Sequence, residues 1–324
     1  MVPVLRTPVN GDAAHGLAYH VGCPPDNGQT RRQLTMIYSK PIVEVIKARY
    51  SVRTYQPVTI KDRDRSHLAE AALATQAGPF GNRPRFELLA ASEDDGKALR
   101  GLGTYGFIKG PTGFLVGASR VTDHSLEDFG FLMERLILLA TDLGLGTCWL
   151  GGTFTKSRFA EKISLQSVET VPAVASVGYA ARRPRALDSL VRFVPGSDRR
   201  LPWESLFFDR SLTSPLNRQA ADEFVLPLDM VRLGPSASNR QPWRIVRQGN
   251  IWHFYLQRSR AYGPSSFGSL WPMADLQRID MGIAMCHFDL TAKELGLTGQ
   301  WSYGQPDIDK PNGQIEYTAS WIGS

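Results

Sequence analysis

Apolar residues in this chain fall into short periodic runs separated by Gly, Pro and Asn. Ile42, Val45 and Ile46 recur at helical spacing behind Pro41, which predicts a helix that ends as Arg49 begins. Leu68, Ala71, Ala72 and Thr75 predict a second helix from near Ile60 to Thr75, closed by Gly78 and Pro79. Phe86 to Ala91 and Phe114 to Ala118 read as strands. The strongest helical signal runs from Asp123 to Leu143, where Phe129, Leu132, Met133, Leu136, Ile137, Ala140 and Leu143 keep an i, i+3, i+4, i+7 pattern. Val171 to Gly178 reads as a strand, and a later one begins near Arg244. Ile251 to Leu256 follows the turn at Gly249-Asn250 and suits a core strand as well as a pocket wall.

The pattern repeats. Gly130 and Gly144 are separated by the same interval as Gly282 and Gly296. Met133 and Met285 each lie three residues beyond the first glycine, and Trp149 and Trp301 five beyond the second. Upstream, Gly78-Pro79-Phe80-Gly81-Asn82-Arg83-Pro84 pairs, with small gaps, with Gly234-Pro235-Ser236-Ala237-Ser238-Asn239-Arg240-Gln241-Pro242. Matches in one order predict an internal duplication, with a first half over 36–205, a second over 206–324, and a Pro- and Arg-rich crossing from Arg182 to Pro202.

Composition narrows the classes. The 324 residues are 42% hydrophobic and 21% charged, as in a soluble globular protein able to bury a large core. Residues 1–35 are rich in Pro, Gly, Asn, Asp and Gln, which predicts a poorly ordered extension and makes Met36 the expected start. Pro3, Arg6, Pro8, Asn10 and Asp12 interrupt any signal-like apolar segment. The longest apolar stretch, Phe129 to Gly152, contains Glu134, Arg135 and Asp142, so no membrane span is expected. Cys23, Cys148 and Cys286 have neither disulfide-framework nor zinc spacing, so a reducing cytoplasm and no metal are expected. A net charge of +6 suits an anionic ligand or plain solubility, and without basic runs interleaved with aromatics no nucleic-acid partner is expected.

Three segments carry candidate chemistry. Arg49, Ser51 and Arg53 alternate, so an extended backbone projects two guanidinium groups and a hydroxyl to one side, a good phosphate clamp; a solvated basic strand end is the plainer alternative. Gly234-Pro235 predicts a helix stop, with Gly234 in the left-handed cap conformation. The following Ser236-Ala237-Ser238-Asn239-Arg240-Gln241-Pro242 loop then offers hydroxyls and amides, with Trp243 able to cover an apolar face. Gly144-Leu145-Gly146-Thr147-Cys148-Trp149-Leu150-Gly151-Gly152 permits close backbone approach to a ligand, or is a turn packed on the core. Cys148, His253 and His287 read more readily as a buried inert thiol and satisfied core histidines than as catalytic groups.

In combination and order, these segments resemble the FMN-dependent nitroreductase family over most of residues 41–324, and in particular its internally duplicated single-chain members. The resemblance implies an α+β fold, a three-layer α/β/α sandwich whose two half-units form a single-chain, monomeric pseudo-dimer. It also implies FMN as cofactor, NAD(P)H as electron donor and a small-molecule acceptor such as a nitroaromatic or quinone. Hydride would pass through flavin N5, so no protein side chain is expected to be catalytic. Residue by residue, Arg49, Ser51 and Arg53 would hold the phosphate and ribityl chain, and Pro235, Ser236, Ser238 and Asn239 would reach the ribityl group and ring edge from the second half. Gly151 and Gly152 would set a backbone N–H near N5, and Arg183 or Arg185 would add a phosphate contact.

The reciprocal site is not intact. The second half offers only Ser211 to Arg218 where a clamp is expected, Phe80 replaces the loop's first serine, and Leu297-Thr298-Gly299-Gln300 replaces the glycine-rich turn, so one FMN per chain is expected. Two rival readings are a flavin-binding or storage protein without turnover, and a specialised chemistry such as dehalogenation, ene reduction or flavin fragmentation.

Overall fold

The computed structural model describes residues 37–92, 98–181, 199–259, 274–308 and 314–324. The expected extension over 1–35, Cys23, and the candidates Arg183 and Arg185 lie outside the described residues.

In chain order the elements are α1 (Ile42–Ala48), α2 (Asp62–Leu73), β1 (Arg85–Ala90), β2 (Gly113–Arg120), α3 (Ser125–Asp142), β3 (Gly146–Leu150), α4 (Lys156–Lys162), β4 (Glu169–Thr170) and β5 (Val174–Gly178). After the crossing come β6 (Phe207–Asp209), α5 (Val225–Leu233), β7 (Trp243–Gln248), β8 (Ile251–Gln257), α6 (Leu276–Glu294), β9 (Gly299–Ser302) and β10 (Ile315–Gly323). The first sheet runs β1-β2-β5-β3, with β4 paired to β2; the second runs β6-β7-β8-β10-β9. Apart from parallel β6 at the second sheet's edge, the strands of both sheets pair antiparallel. The order β7-β8-β10-β9 repeats that of β1-β2-β5-β3.

Alternation along the strands sorts residues between layers. In β2, Leu115 faces the main core beside α3, whereas Phe114, Val116 and Ala118 face a second cluster. There Phe114 meets Phe159 of α4 edge-on at 5.0 Å, so the first sheet has helices on both faces. In β8, Trp252, Phe254 and Leu256 join the main core, and Tyr255 turns to the opposite face.

The two long helices pack on each other between the sheets. Predicted as amphipathic, α3 is buried almost all round, Glu127, Asp128 and Glu134 included, because it lies against α6 on one side and β2 and β3 on the other. The repeated glycines make the crossing: a Cβ on Gly130 would lie 2.2 Å from the Ile279 carbonyl oxygen, and one on Gly282 1.9 Å from that of Glu127. The interval that carries Gly130 onto Gly282 also carries Glu127 onto Ile279, so the contact is reciprocal, as across a two-fold axis. Both helices end alike, with Gly144 at φ 80° and Gly296 at φ 75°. Leu145 N–H reaches Ala140 O at 2.8 Å and Leu297 N–H reaches Ala292 O at 2.9 Å, the paired-bond stop that left-handed glycine permits.

The first helix is held from both sides. Ser39 N–H donates to Asp142 at the end of α3 at 2.6 Å, while Ile42 N–H, opening α1, donates to Glu294 at the matching end of α6. The start of α1 is thus anchored by both halves.

Several expectations need correction. The segment from Gly146 is strand β3, not a turn, because its apolar alternate positions complete the sheet. The strand expected over Val171 to Gly178 begins only at Val174, as β5, since Pro172 lacks a donor; the short β4 precedes it at Glu169–Thr170. Gly234 is extended at φ −52°, ψ 141°, as a residue before proline prefers. Trp243 is fully buried in the main core instead of covering a ligand face.

Gly282→Ala is expected to lower the unfolding free energy by about 1–3 kcal/mol, since the added methyl group meets backbone on α3; unchanged urea unfolding would contradict the tight crossing. His253, buried in β8 between Ser320 and Gln248, is pushed down to about 4 by burial. Its charged form is disfavoured in the folded chain, so stability held above about pH 6.5 is lost as pH falls toward 4, by about 3 kcal/mol for such a shift. Urea unfolding across that window should lose this component of its pH slope in His253→Gln; identical slopes would refute the assignment.

Candidate functional site

The Arg49 to Arg53 segment leaves α1 extended, with Arg49 at φ −67°, ψ 127°. It lies parallel to β3 through the Ser51 and Thr147 bridge, with Val52 N–H on Thr147 O at 2.8 Å. Val52 points into the core beneath β2 and β3. Arg49, Ser51 and Arg53 alternate with it and gather at Cys148: burial pushes this thiol up, while Arg53, Arg49 and a hydrogen bond from Ser51 pull it down. The clamp and the glycine-rich segment therefore form one locus.

Arg49 is drawn inward by charge. Its Nε lies 3.8 Å from the fully buried Glu134 carboxylate of α3 and has no hydrogen-bond partner. Glu134 accepts Trp149 Nε1–H at 2.8 Å and lies 3.0 Å from His287 Nε2, on α6. His287 Nδ1 in turn lies 2.8 Å from the Met230 carbonyl of α5. A carbonyl only accepts, so Nδ1 donates to Met230 while Nε2 faces the Glu134 carboxyl oxygen. Sequence reasoning left Glu134 out and treated His287 as packing. The chain Arg49, Glu134, His287, Met230 runs from the clamp, across the helix crossing, to the helix that leads into the polar loop.

That loop is moored to α6 as well. Ala237 N–H donates to both Asp280 oxygens, at 3.0 and 3.1 Å, and burial raises this carboxyl well above its ordinary range. Ser236 Oγ accepts Gln241 N–H at 2.9 Å. Asn239 Oδ1 accepts from Arg200 at 3.0 Å, and its amide donates to Arg199 O at 2.8 Å. The left-handed positions expected at Gly234 fall instead on Ser238 at φ 47°, Asn239 at φ 55° and Gln241 at φ 49°. Non-glycine residues held there store strain of the kind found at ligand clamps.

Gly151 closes the locus on the other side, since a Cβ there would fall 2.5 Å from the Leu276 side chain at the start of α6. Gly152, adjacent to it, is exposed. The structure thus joins Arg49, Ser51 and Arg53 to β3 and sets Gly151 against the second half. Pro235, Ser236, Ser238 and Asn239 are linked to the clamp through α6, not by adjacency in sequence.

These features have relatives. A family model described as "Putative TM nitroreductase" matches residues 41–292, and the chain belongs to this family. A crystal structure described as a "putative nitroreductase" from Thermotoga maritima MSB8 is 20% identical, covering 87% of this chain and 94% of its own, with a TM-score of 0.54. The fold is accordingly nitroreductase-like. Shorter chains align too: a nitroreductase family protein from Clostridium difficile 630 is 20% identical over 51% of this chain and 98% of its own, TM-score 0.37. An FMN-bound nitroreductase from Bacteroides fragilis NCTC 9343 is 21% identical over 44% and 89%, TM-score 0.34. No curated protein matches. Among the described residues, no helix is long and apolar enough to cross a membrane.

Removing the imidazole tests the polar chain. His287→Leu should cost about 3–5 kcal/mol by removing the buried partner of Glu134 Oε1 and the donor to the Met230 carbonyl, and Glu134→Gln/His287→Leu should cost less than the two single changes combined. Additive losses in a double-mutant cycle would separate the two residues.

Proposed function

We propose that this protein is an FMN-dependent oxidoreductase that takes electrons from NAD(P)H and delivers them to a small acceptor such as a nitroaromatic or quinone. The observation that carries the reading is the Arg49, Ser51 and Arg53 segment against β3, with Arg49 Nε buried and without a hydrogen bond. Two guanidinium groups and a hydroxyl suit a phosphate by charge and geometry, and the exposed Gly152 lets a flat ring approach the backbone. Family membership and the FMN named for the Bacteroides fragilis relative support the same cofactor.

On this reading residues 36–205 and 206–324 are duplicated halves of a monomeric pseudo-dimer in the cytoplasm. Arg49, Ser51 and Arg53 bind phosphate and ribityl oxygens, Pro235, Ser236, Ser238 and Asn239 close the ribityl side, and Gly151 and Gly152 present backbone to the ring. Arg183 and Arg185 remain proposed phosphate contacts from outside the described residues. When bound, FMN supplies the two-electron chemistry linking donor and acceptor. The protein's part is to orient the ring and favour negative charge beside it. Glu134 holds Arg49 in place, Asp280 sets the loop, and no acid–base side chain is required.

The purified chain should be yellow, release FMN on denaturation, and oxidise NADH or NADPH when a nitroaromatic or quinone is supplied. Arg49→Ala and Arg53→Ala should each weaken FMN binding about tenfold or more, since a charge-assisted hydrogen bond contributes about 1.5–3 kcal/mol. Fluorescence titration of the apoprotein reads this directly. A colourless chain that fails to take up added FMN would overturn the reading.

A further inference from the structure

The interval that carries Gly130 onto Gly282 also carries Gly151 onto Tyr303 and His124 onto Leu276. The Gly151 and Leu276 pair beside the clamp thus has a counterpart across the pseudo-two-fold in Tyr303 and His124. There the glycine's place is taken by a phenol ring and the leucine's by an imidazole. Between chain and loop lies Phe80, whose N–H is moored on Asp128 at 2.9 Å, much as Ala237 N–H is moored on the matching Asp280. Phe80 stacks on His124 with centroids 4.2 Å apart and planes 4° apart, and on Tyr303 at 4.5 Å and 28°.

We propose that this stack is a second ring-binding slot, formed by the fold's pseudo-symmetry and closed by the chain's own Phe80 and Tyr303. The proposal rests on the cofactor reading above for the identity of the first slot. Parallel faces a little over 4 Å apart are the spacing of offset-stacked rings, so the site has the dimensions for a flat aromatic ligand but supplies its own. The imidazole is held in position: His124 is left-handed at φ 56°, its Nδ1 lies 3.6 Å from Glu127, and Glu127 accepts Arg278 at 2.8 Å.

The slot has lost its hold on phosphate. Arg218, in the Ser211 to Arg218 segment near the expected counterpart of the clamp, is committed to the Asp229 carboxylate at 2.9 Å and lies 4.7 Å over the Trp203 ring. The class of ligand that fits is therefore a planar, uncharged aromatic heterocycle without a phosphate tail. With Phe80 and Tyr303 filling the second position and Arg218 engaged by Asp229, one FMN per chain is expected.

The test uses lumiflavin, an isoalloxazine without ribityl phosphate, titrated by fluorescence quenching into wild type and Phe80→Ala/Tyr303→Gly, each first saturated with FMN. The double variant should bind one further equivalent at least tenfold more tightly than wild type. Equal lumiflavin affinities in the two chains would overturn the proposal, as would two FMN per wild-type chain. Tyr303→Gly alone opens the more exposed side and should give a smaller gain, which serves if the double variant does not fold. If wild type takes up no FMN, the cofactor reading fails; the lumiflavin comparison between unsaturated chains still decides the slot.

Discussion

Backbone against backbone at the crossing of α3 and α6 governs this molecule. At 1.9 and 2.2 Å from opposing carbonyl oxygens, the sites where Gly282 and Gly130 would carry a Cβ leave no room for any side chain. Because the helices approach so closely, the groups that flank the crossing are forced into contact with the other half. Glu134 finds His287, Glu127 finds Arg278, and Gly151 finds Leu276. Each of these contacts ends near one of the two pseudo-equivalent positions. The interface between the halves is set by two missing methyl groups.

Burial then gives the polar groups their roles. Glu134 is surrounded by Trp149, His287 and Arg49, so its charge is satisfied by a short list of partners that also define where Arg49 can sit. An isolated carboxylate in such a place would be costly. Asp128 and Asp280 are similar: burial raises both, and each is spent on backbone N–H groups of the loop in its own half. The same scaffold thus presents two loops at matched positions, one small and polar, one aromatic.

Much of this was legible from the chain. Helix α3 announced itself by spacing, and the glycine, methionine and tryptophan intervals exposed the repeat; of these, Gly130 and Gly282 mark where the two helices touch. The extended run through Arg49, Ser51 and Arg53 was legible from their alternation, and the structure lays it along β3. Other parts were not. Strand β3 was hidden by the glycines that flank it, and the left-handed positions moved from Gly234 to Ser238, Asn239 and Gln241 because the following proline dictates an extended glycine. Glu134 and His287 sit in helices whose apolar spacing hides their partnership, and only packing between distant segments makes it visible. Tyr303 was equally silent, since its meaning depends on its being the pseudo-equivalent of Gly151.

The double anchorage of α1 has a consequence for biosynthesis. Asp142 and Glu294, at corresponding ends of α3 and α6, both bind the approach to this short helix, and the arginine pair follows directly from its last turn. While the ribosome is still completing the later half, the nascent chain already contains both arginines but only Asp142 of the two carboxylates that hold the helix before them. The arginine segment therefore gains its second anchor only once Glu294 has been made.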